Sequence, residues 1–158
     1  MSCHISVVPN HQTNRVTDMK TRADIAHLGA TVYELDTSSF TDGDRALTKS
    51  QIDEYKQMES LVLEGDLYRL RNPYEGEYFA VMLVSKDKSI AEMTVYKRTN
   101  RPEDQELPVK AEGLDPAKKY YVPELGLILF GSTLINVGLI PKFEHGDFKT
   151  AKFHFEEK

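Results

Sequence analysis

Apolar positions recur with helical spacing in two stretches of the first 65 residues. In Thr21–Leu28, Ile25 and Leu28 are spaced to share one face of a helix. The stronger pattern predicts a helix over Lys49–Leu63 that ends before Gly65. Ser38, Ser39 or Thr41 could cap a following helix, and Thr48 is the better N-cap candidate for this one. Its apolar face comprises Ile52, Tyr55, Met58 and Val62.

The pattern changes after Gly65 to short apolar or alternating runs separated by turn residues, which is typical of strands. The predicted strands are Leu67–Leu70, Tyr78–Val84, Ile90–Tyr96, Leu107–Ala111, Lys119–Val122, Leu125–Phe130 and Phe148–Phe155, with a loop at Arg98–Glu106 and a turn around short structure at Gly131–Gly138. Before Gly65, His4–Val8 reads as a lone strand without a nearby partner, and Ala30–Asp36 as a short extended piece. We therefore predict an α+β chain with a helical part, 1–65, and an antiparallel β-sandwich, 66–158.

Composition narrows the class of protein. The 158 residues are 40% hydrophobic and 28% charged, which is ordinary for a globular domain. A net charge of -5 argues against nucleic acid as a partner, and no apolar run approaches the length of a membrane span. The first ten residues lack the basic flank and long apolar core of a signal peptide, so the expected location is cytoplasmic. The single Cys3 excludes an internal disulfide and fits a reducing compartment.

The residues alone identify no catalytic, cofactor or metal site. The histidines lack the close spacing of zinc ligands, so we expect His4 and His11 at a strand end and its loop, and His27, His145 and His154 on surfaces. Asp66 is more typical of a turn-stabilising side chain than of a catalytic acid. Cys3 and His4 should point to opposite faces of a strand, and no spacing singles out a pair of carboxylates.

An ordered series of motifs along almost the whole chain nevertheless resembles one family. Ser6–Gln12 (SVVPNHQ), Thr21-Arg22 and Tyr33–Asp36 (YELD) resemble the end of the catalytic barrel of bacterial α-galactosidases of the melibiase and raffinose-hydrolysing type, glycoside hydrolase family 36. Further motifs resemble the last long helix and the C-terminal sandwich of that family: Gln51–Pro73, Tyr78–Asp87, Gly113–Pro116, Gly131–Leu139 and Gly146–Phe148.

The resemblance implies a (β/α)8 barrel enzyme that uses an aspartate nucleophile and an aspartate general acid/base in a retaining mechanism. Both aspartates belong to strands that precede this stretch, so no catalytic residue is assigned here and the substrate-binding residues are unknown. His4–Val8 would be the eighth barrel strand. Met1 falls where the family commonly has an internal Met, which suggests an internal start or a shortened chain. Cys3 and Ala30–Val32 depart from the family pattern.

Two hypotheses follow. In the first, the chain is the C-terminal fragment of an α-galactosidase that releases terminal galactose from raffinose- or melibiose-type sugars. Alone it would be structural and inactive. Its expected partners are the rest of the barrel and, in a homo-oligomer, further copies of the same chain. In the second, it is a stand-alone β-sandwich module that binds carbohydrate or protein. Galactose titration separates the two hypotheses.

Overall fold

The computed structural model describes residues 2–101 and 107–158. The chain divides into two compact units, residues 1–63 and residues 64–158, which are considered separately below. Among the described residues, no helix combines the length and apolarity needed to cross a bilayer. The last five residues of the predicted loop Arg98–Glu106 lie outside the described residues.

The first unit alternates strands and helices. Its elements in chain order are β1 (Ser2–Ser6), α1 (Met19–Ala26), β2 (Ala30–Glu34), a short 3-10 helix (Thr37–Ser39) and α2 (Asp42–Glu64). β1 and β2 pair in parallel, with Ser2 opposite Ala30 and Ser6 opposite Glu34. The expectation that the first strand lacks a nearby partner is therefore wrong, because Ala30–Asp36 supplies that partner after a helical crossover.

The predicted start of the long helix is also wrong. α2 begins at Asp42, and its cap is Thr41 rather than Thr48. The Thr41 hydroxyl accepts a hydrogen bond from the Asp44 amide at 3.1 Å, and the Asp44 carboxylate accepts one from the Thr41 amide at 2.9 Å. This reciprocal pair is a capping box. The first turns of α2 are mostly polar, so the apolar stripe did not reveal them, whereas the end of α2 directly before Gly65 is as predicted.

The second unit is built on one antiparallel sheet. Its elements in chain order are β3 (Asp66–Arg71), β4 (Tyr78–Val84), β5 (Ile90–Lys97), β6 (Lys119–Val122), β7 (Leu127–Phe130), α3 (Gly131–Asn136) and β8 (Lys149–Glu157). The six strands lie in the order β3-β4-β5-β8-β6-β7. The predicted α+β fold, with strands following the long helix, is confirmed.

One face of this sheet carries the main core. Met82, Met93 and Phe155 are fully buried there, and Val109, Leu114 and Leu134 cover them as a second layer. The arrangement is sandwich-like because loop segments and α3 take the place of a second sheet. The predicted strand Leu107–Ala111 is reduced to one bridge between Val109 and Leu139. Pro108 has no backbone N–H to donate to a neighbouring strand, which limits strand pairing at this segment.

Candidate functional site

The two parallel strands of the first unit end side by side. Ser6 is the last residue of β1 and Glu34 the last of β2, and they are opposite each other in the register. In folds built from βα units, ligands bind at the carboxyl ends of the strands, where loops leave the sheet. This edge is therefore the candidate site of the chain.

A histidine and a glutamate meet at this edge. Nδ1 of His4 lies 2.5 Å from Oε2 of Glu34, which is the diagonal neighbour of His4 across the strand pair. The hydrogen bond from His4 and its charge lower the pKa of Glu34, and the charge of His11 lowers it further. The two side chains are 49% and 71% exposed. Glu34 is consequently an ionised, accessible hydrogen-bond acceptor at neutral pH.

The loop after β1 is held in shape by the Asn10 side chain. Its Oδ1 accepts hydrogen bonds from the amides of Gln12 at 3.1 Å and Thr13 at 3.0 Å. The Asn10 amide donates to the Arg15 carbonyl at 3.0 Å, which closes the loop. This Asx-type arrangement leaves His11 and Gln12 exposed at the turn.

Arg22 of α1 fastens the base of the same loop. Its Nη1 donates to the Ser6 carbonyl, and its Nε donates to the Thr17 carbonyl at 3.1 Å. The guanidinium thus joins the end of β1 to the residues that lead into α1. A loop tied at both ends holds its exposed side chains in fixed positions, which favours ligand binding.

The carboxylates at this edge are unsuited to general acid catalysis. Oδ1 of Asp36, just beyond β2, accepts a hydrogen bond from the Ser38 amide at 2.8 Å, and that bond lowers the pKa of Asp36. The pKa of Glu34 is lowered as well. A glycosidase acid needs a raised pKa to hold its proton at neutral pH. This edge can therefore bind polar groups, and neither carboxylate can supply the acid.

A second polar cluster lies in the sheet of the other unit. Nδ1 of His154 lies 2.5 Å from Glu124, and its Nε2 lies 3.3 Å from Glu92, its cross-strand partner. Lys152 Nζ is also 3.3 Å from Glu92. Hydrogen bonds to Glu124 and Glu92 raise the pKa of His154 to about 9. Burial opposes ionisation of Glu92, but His154 and Lys152 outweigh it and lower its pKa to about 2.

This cluster has a structural role. His154 is 28% exposed and Glu92 only 4%, so the charges satisfy one another within the sheet rather than meeting solvent. The cluster joins β5, β8 and the turn between β6 and β7. His154, expected on a surface, is partly exposed and lies within this network.

The remaining predicted residues fall into structural positions. His27 is buried, contrary to expectation, with its ring 5.2 Å from that of Tyr55. His145 is exposed, as expected. Asp66 pairs with Lys86. Cys3 packs with the helix-facing residues of the first unit, and His4 lies on the opposite face.

Glu34 of the candidate site was not predicted from sequence. The available signal was the succession of two β-rich runs with a helix between them, which indicates a βαβ unit and parallel strands. Recognition of that unit would have placed Ser6 and Glu34 at the same edge.

Comparison with known proteins agrees with this architecture. Residues 1–65 match the family model described as melibiase, and residues 78–155 match the glycosyl hydrolase family 36 C-terminal domain. The chain belongs to glycosyl hydrolase family 36.

Family 36 relatives are much longer than this chain. Alpha-galactosidase 1 of Pediococcus pentosaceus is 32% identical over 155 residues, which cover 98% of this chain and 21% of that protein. Alpha-galactosidase AgaA of Geobacillus stearothermophilus is 36% identical over 151 residues, or 94% of this chain and 20% of that protein. The crystal structure of AgaA variant protein with raffinose superposes with a TM-score of 0.96 at 32% identity, covering 100% of this chain and 22% of the other. The chain therefore spans about a fifth of these relatives, in their C-terminal part.

Proposed function

We propose that this chain is the C-terminal part of an α-galactosidase, in which residues 1–65 complete the catalytic barrel and residues 66–158 form the C-terminal β domain. The observation that carries the proposal is the parallel β1–α1–β2–α2 succession of the first unit. Each of its two strands is paired on one side only among the described residues. Parallel sheets of two strands are rarely stable alone, whereas a barrel supplies a neighbour on each side.

The order of elements supports a proposal for the positions of the two strands within that barrel. Because β2 follows β1 in parallel and leads into the long helix α2, β2 takes the last position and β1 the one before it. On this proposal the β1 strand precedes the last one, whereas the resemblance alone implied that His4–Val8 is the eighth strand.

The expected reaction is retaining hydrolysis of terminal α-galactosides such as raffinose, the sugar bound in the AgaA structure. That mechanism needs a nucleophile and a general acid, which the family resemblance places on earlier strands. The chain alone should therefore be inactive, and its role is to close the barrel and support it. A cytoplasmic location, suggested by the single Cys3, and assembly into a homo-oligomer belong to the same proposal.

A hybrid enzyme tests this function. Residues 1–158 would replace the matched C-terminal part of AgaA, and hydrolysis of 4-nitrophenyl α-galactoside would be measured. We expect the hybrid to be active. AgaA that lacks the matched C-terminal part should be inactive, and so should the isolated chain. A folded, monodisperse hybrid without turnover would contradict the proposal. So would turnover by the isolated chain.

The alternative of a stand-alone binding module is tested on the chain itself. Galactose would be titrated into the isotope-labelled chain and followed by NMR. The proposal expects no saturable shifts, because the rest of the barrel is needed to form the pocket. Saturable shifts clustered around an exposed tyrosine, such as Tyr74, would instead favour a carbohydrate-binding module.

A further inference from the structure

The β1–β2 pair has two chemically different faces. Ile5 packs against Ala23 and Ala26 of α1, together with Cys3 and Tyr33. His4, Val32 and Glu34 occupy the alternate positions, and they are exposed on the opposite face. In a (β/α)8 barrel the helices cover the outside of the strands, and the face away from them lines the interior.

Glu34 stands at the carboxyl end of that interior-type face. Its Cα is the last in the parallel register, opposite Ser6, whereas His4 lies two positions earlier on β1. In the proposed barrel, Glu34 would therefore be at the mouth, where substrates bind, and His4 one layer below.

The carboxylate has one oxygen engaged and one available. Oε2 is held by His4 at 2.5 Å, while Oε1 has no hydrogen-bond partner among residues 2–101 and 107–158. Since an ionised carboxylate is only an acceptor, the group that matches Oε1 is a donor such as a sugar hydroxyl. The imidazole fixes the orientation of the carboxylate, as partners of binding groups commonly do.

We infer that Glu34, oriented by His4, is a substrate-binding residue at the barrel mouth, where Oε1 accepts a hydrogen bond from a hydroxyl group of the galactosyl ring. This inference rests on the proposed function and adds a residue that the family resemblance did not supply. His4 acts as a positioning residue.

The test uses the AgaA hybrid that carries this whole chain. Glu34→Gln keeps the shape and removes the charge. It should lower kcat/KM for 4-nitrophenyl α-galactoside by about 10- to 100-fold, since hydrogen bonds to charged groups have this effect. The competitive inhibition constant of galactose should rise by a similar factor. His4→Ala should have a smaller effect of the same kind, because it frees the carboxylate without removing it.

The matched control is Glu59→Gln, which makes the same change at an exposed position of α2. It should leave both constants unchanged. A purely structural role for Glu34 predicts a lower thermal midpoint with an unchanged inhibition constant for galactose, and that result would overturn the inference. If Glu34→Gln does not fold, Glu34→Asp asks the same question, because it keeps the charge and withdraws it from the ligand.

The design separates the two proposals. A folded hybrid with the unaltered chain that lacks turnover contradicts the proposed function. An active hybrid whose kinetics are insensitive to Glu34→Gln contradicts this inference and leaves the proposed function standing.

Discussion

The two units bury their apolar side chains to very different extents. In residues 64–158, one sheet face, a covering segment and α3 enclose a core that includes Met82, Tyr120 and Phe155, all fully buried. In residues 2–63, the buried core cluster contains only Ile5, Ala23 and Ala26. Burial of apolar surface is the main favourable term in folding. The apolar core of the second unit can therefore supply most of the stability of that unit, whereas the core of the first unit is too small to stabilise it alone.

The same contrast applies to their histidine–glutamate pairs. His154 is enclosed between Glu124 and Glu92, where each charge is satisfied by its neighbours. His4 and Glu34 make an equally short contact on an exposed face. Exposed ion pairs contribute little to stability. The His4–Glu34 pair is therefore better suited to contacting a ligand than to stabilising the fold. Similar residue types thus stabilise the fold in one unit and, by the inference drawn above, bind substrate in the other.

The largest expected effect comes from the core of the second unit. Phe155→Ala removes a fully buried ring and should destabilise that unit by about 3–5 kcal/mol. Denaturant unfolding would measure the change, and amide hydrogen exchange would localise it to residues 64–158. Ile5→Val, a much smaller truncation in the small core, should cost about 0.5–1.5 kcal/mol. A loss from Ile5→Val as large as that from Phe155→Ala would contradict the contrast between the units.

A backbone contact in the second unit gives the next effect. A Cβ placed on Gly131 would lie 2.0 Å from the Asp115 carbonyl oxygen, so Gly131→Ala must displace backbone. We expect a loss of about 1–3 kcal/mol, the usual range for overpacking. Gly76 has open space around its Cβ position, so Gly76→Ala should be nearly neutral. Thermal unfolding of the two variants makes the comparison, and a neutral Gly131→Ala would contradict the tight contact.

Most elements of the second unit could be predicted from sequence because each strand is a short apolar or alternating run. Tyr78–Val84 and Lys119–Val122 coincide with β4 and β6. The segment around Val109 misled the prediction, because its buried apolar residues cover the sheet face instead of joining it. Alternating apolar residues indicate which side chains are buried. They do not indicate whether the backbone hydrogen-bonds to a neighbouring strand.

The candidate site was harder to predict, because its residues come together only through pairing. His4 and Glu34 are 30 positions apart, and their contact depends on the parallel register of β1 and β2. Neither strand has a pattern that fixes this register, since both are short and half-exposed. The resemblance to family 36 indicated the barrel, and it did not indicate which side chains face its interior.

Alkaline pH should weaken the second unit through His154. Its folded pKa is raised to about 9 from an ordinary value near 6.5. The associated stability is therefore fully present below about pH 6.5 and is lost as pH rises through 9. Linkage sets an upper limit of about 3 kcal/mol, and solvent screening reduces the expected loss to about 1–2 kcal/mol. Denaturant midpoints at pH 6.5 and 9.5 would measure it.

The control for this pH effect is His154→Gln, which cannot carry the charge. Its stability should be lower at pH 6.5 and should depend less on pH than that of the unaltered chain. An identical alkaline loss in both proteins would assign the effect to groups other than His154.

The smallest effect tests the start of α2 in the first unit. Thr41→Ala removes the hydroxyl that accepts from the Asp44 amide, so it should cost about 1 kcal/mol, the usual value for loss of an N-cap. Thr48, the cap expected from the apolar stripe, lies inside the helix, and Thr48→Ala should change stability by only a few tenths of a kcal/mol. Hydrogen exchange along Asp42–Glu64 distinguishes the two, because loss of the true cap frays the first turn. If Thr48→Ala caused more fraying than Thr41→Ala, the helix after β2 would begin at Lys49, as the apolar stripe predicts, and would be shorter than Asp42–Glu64.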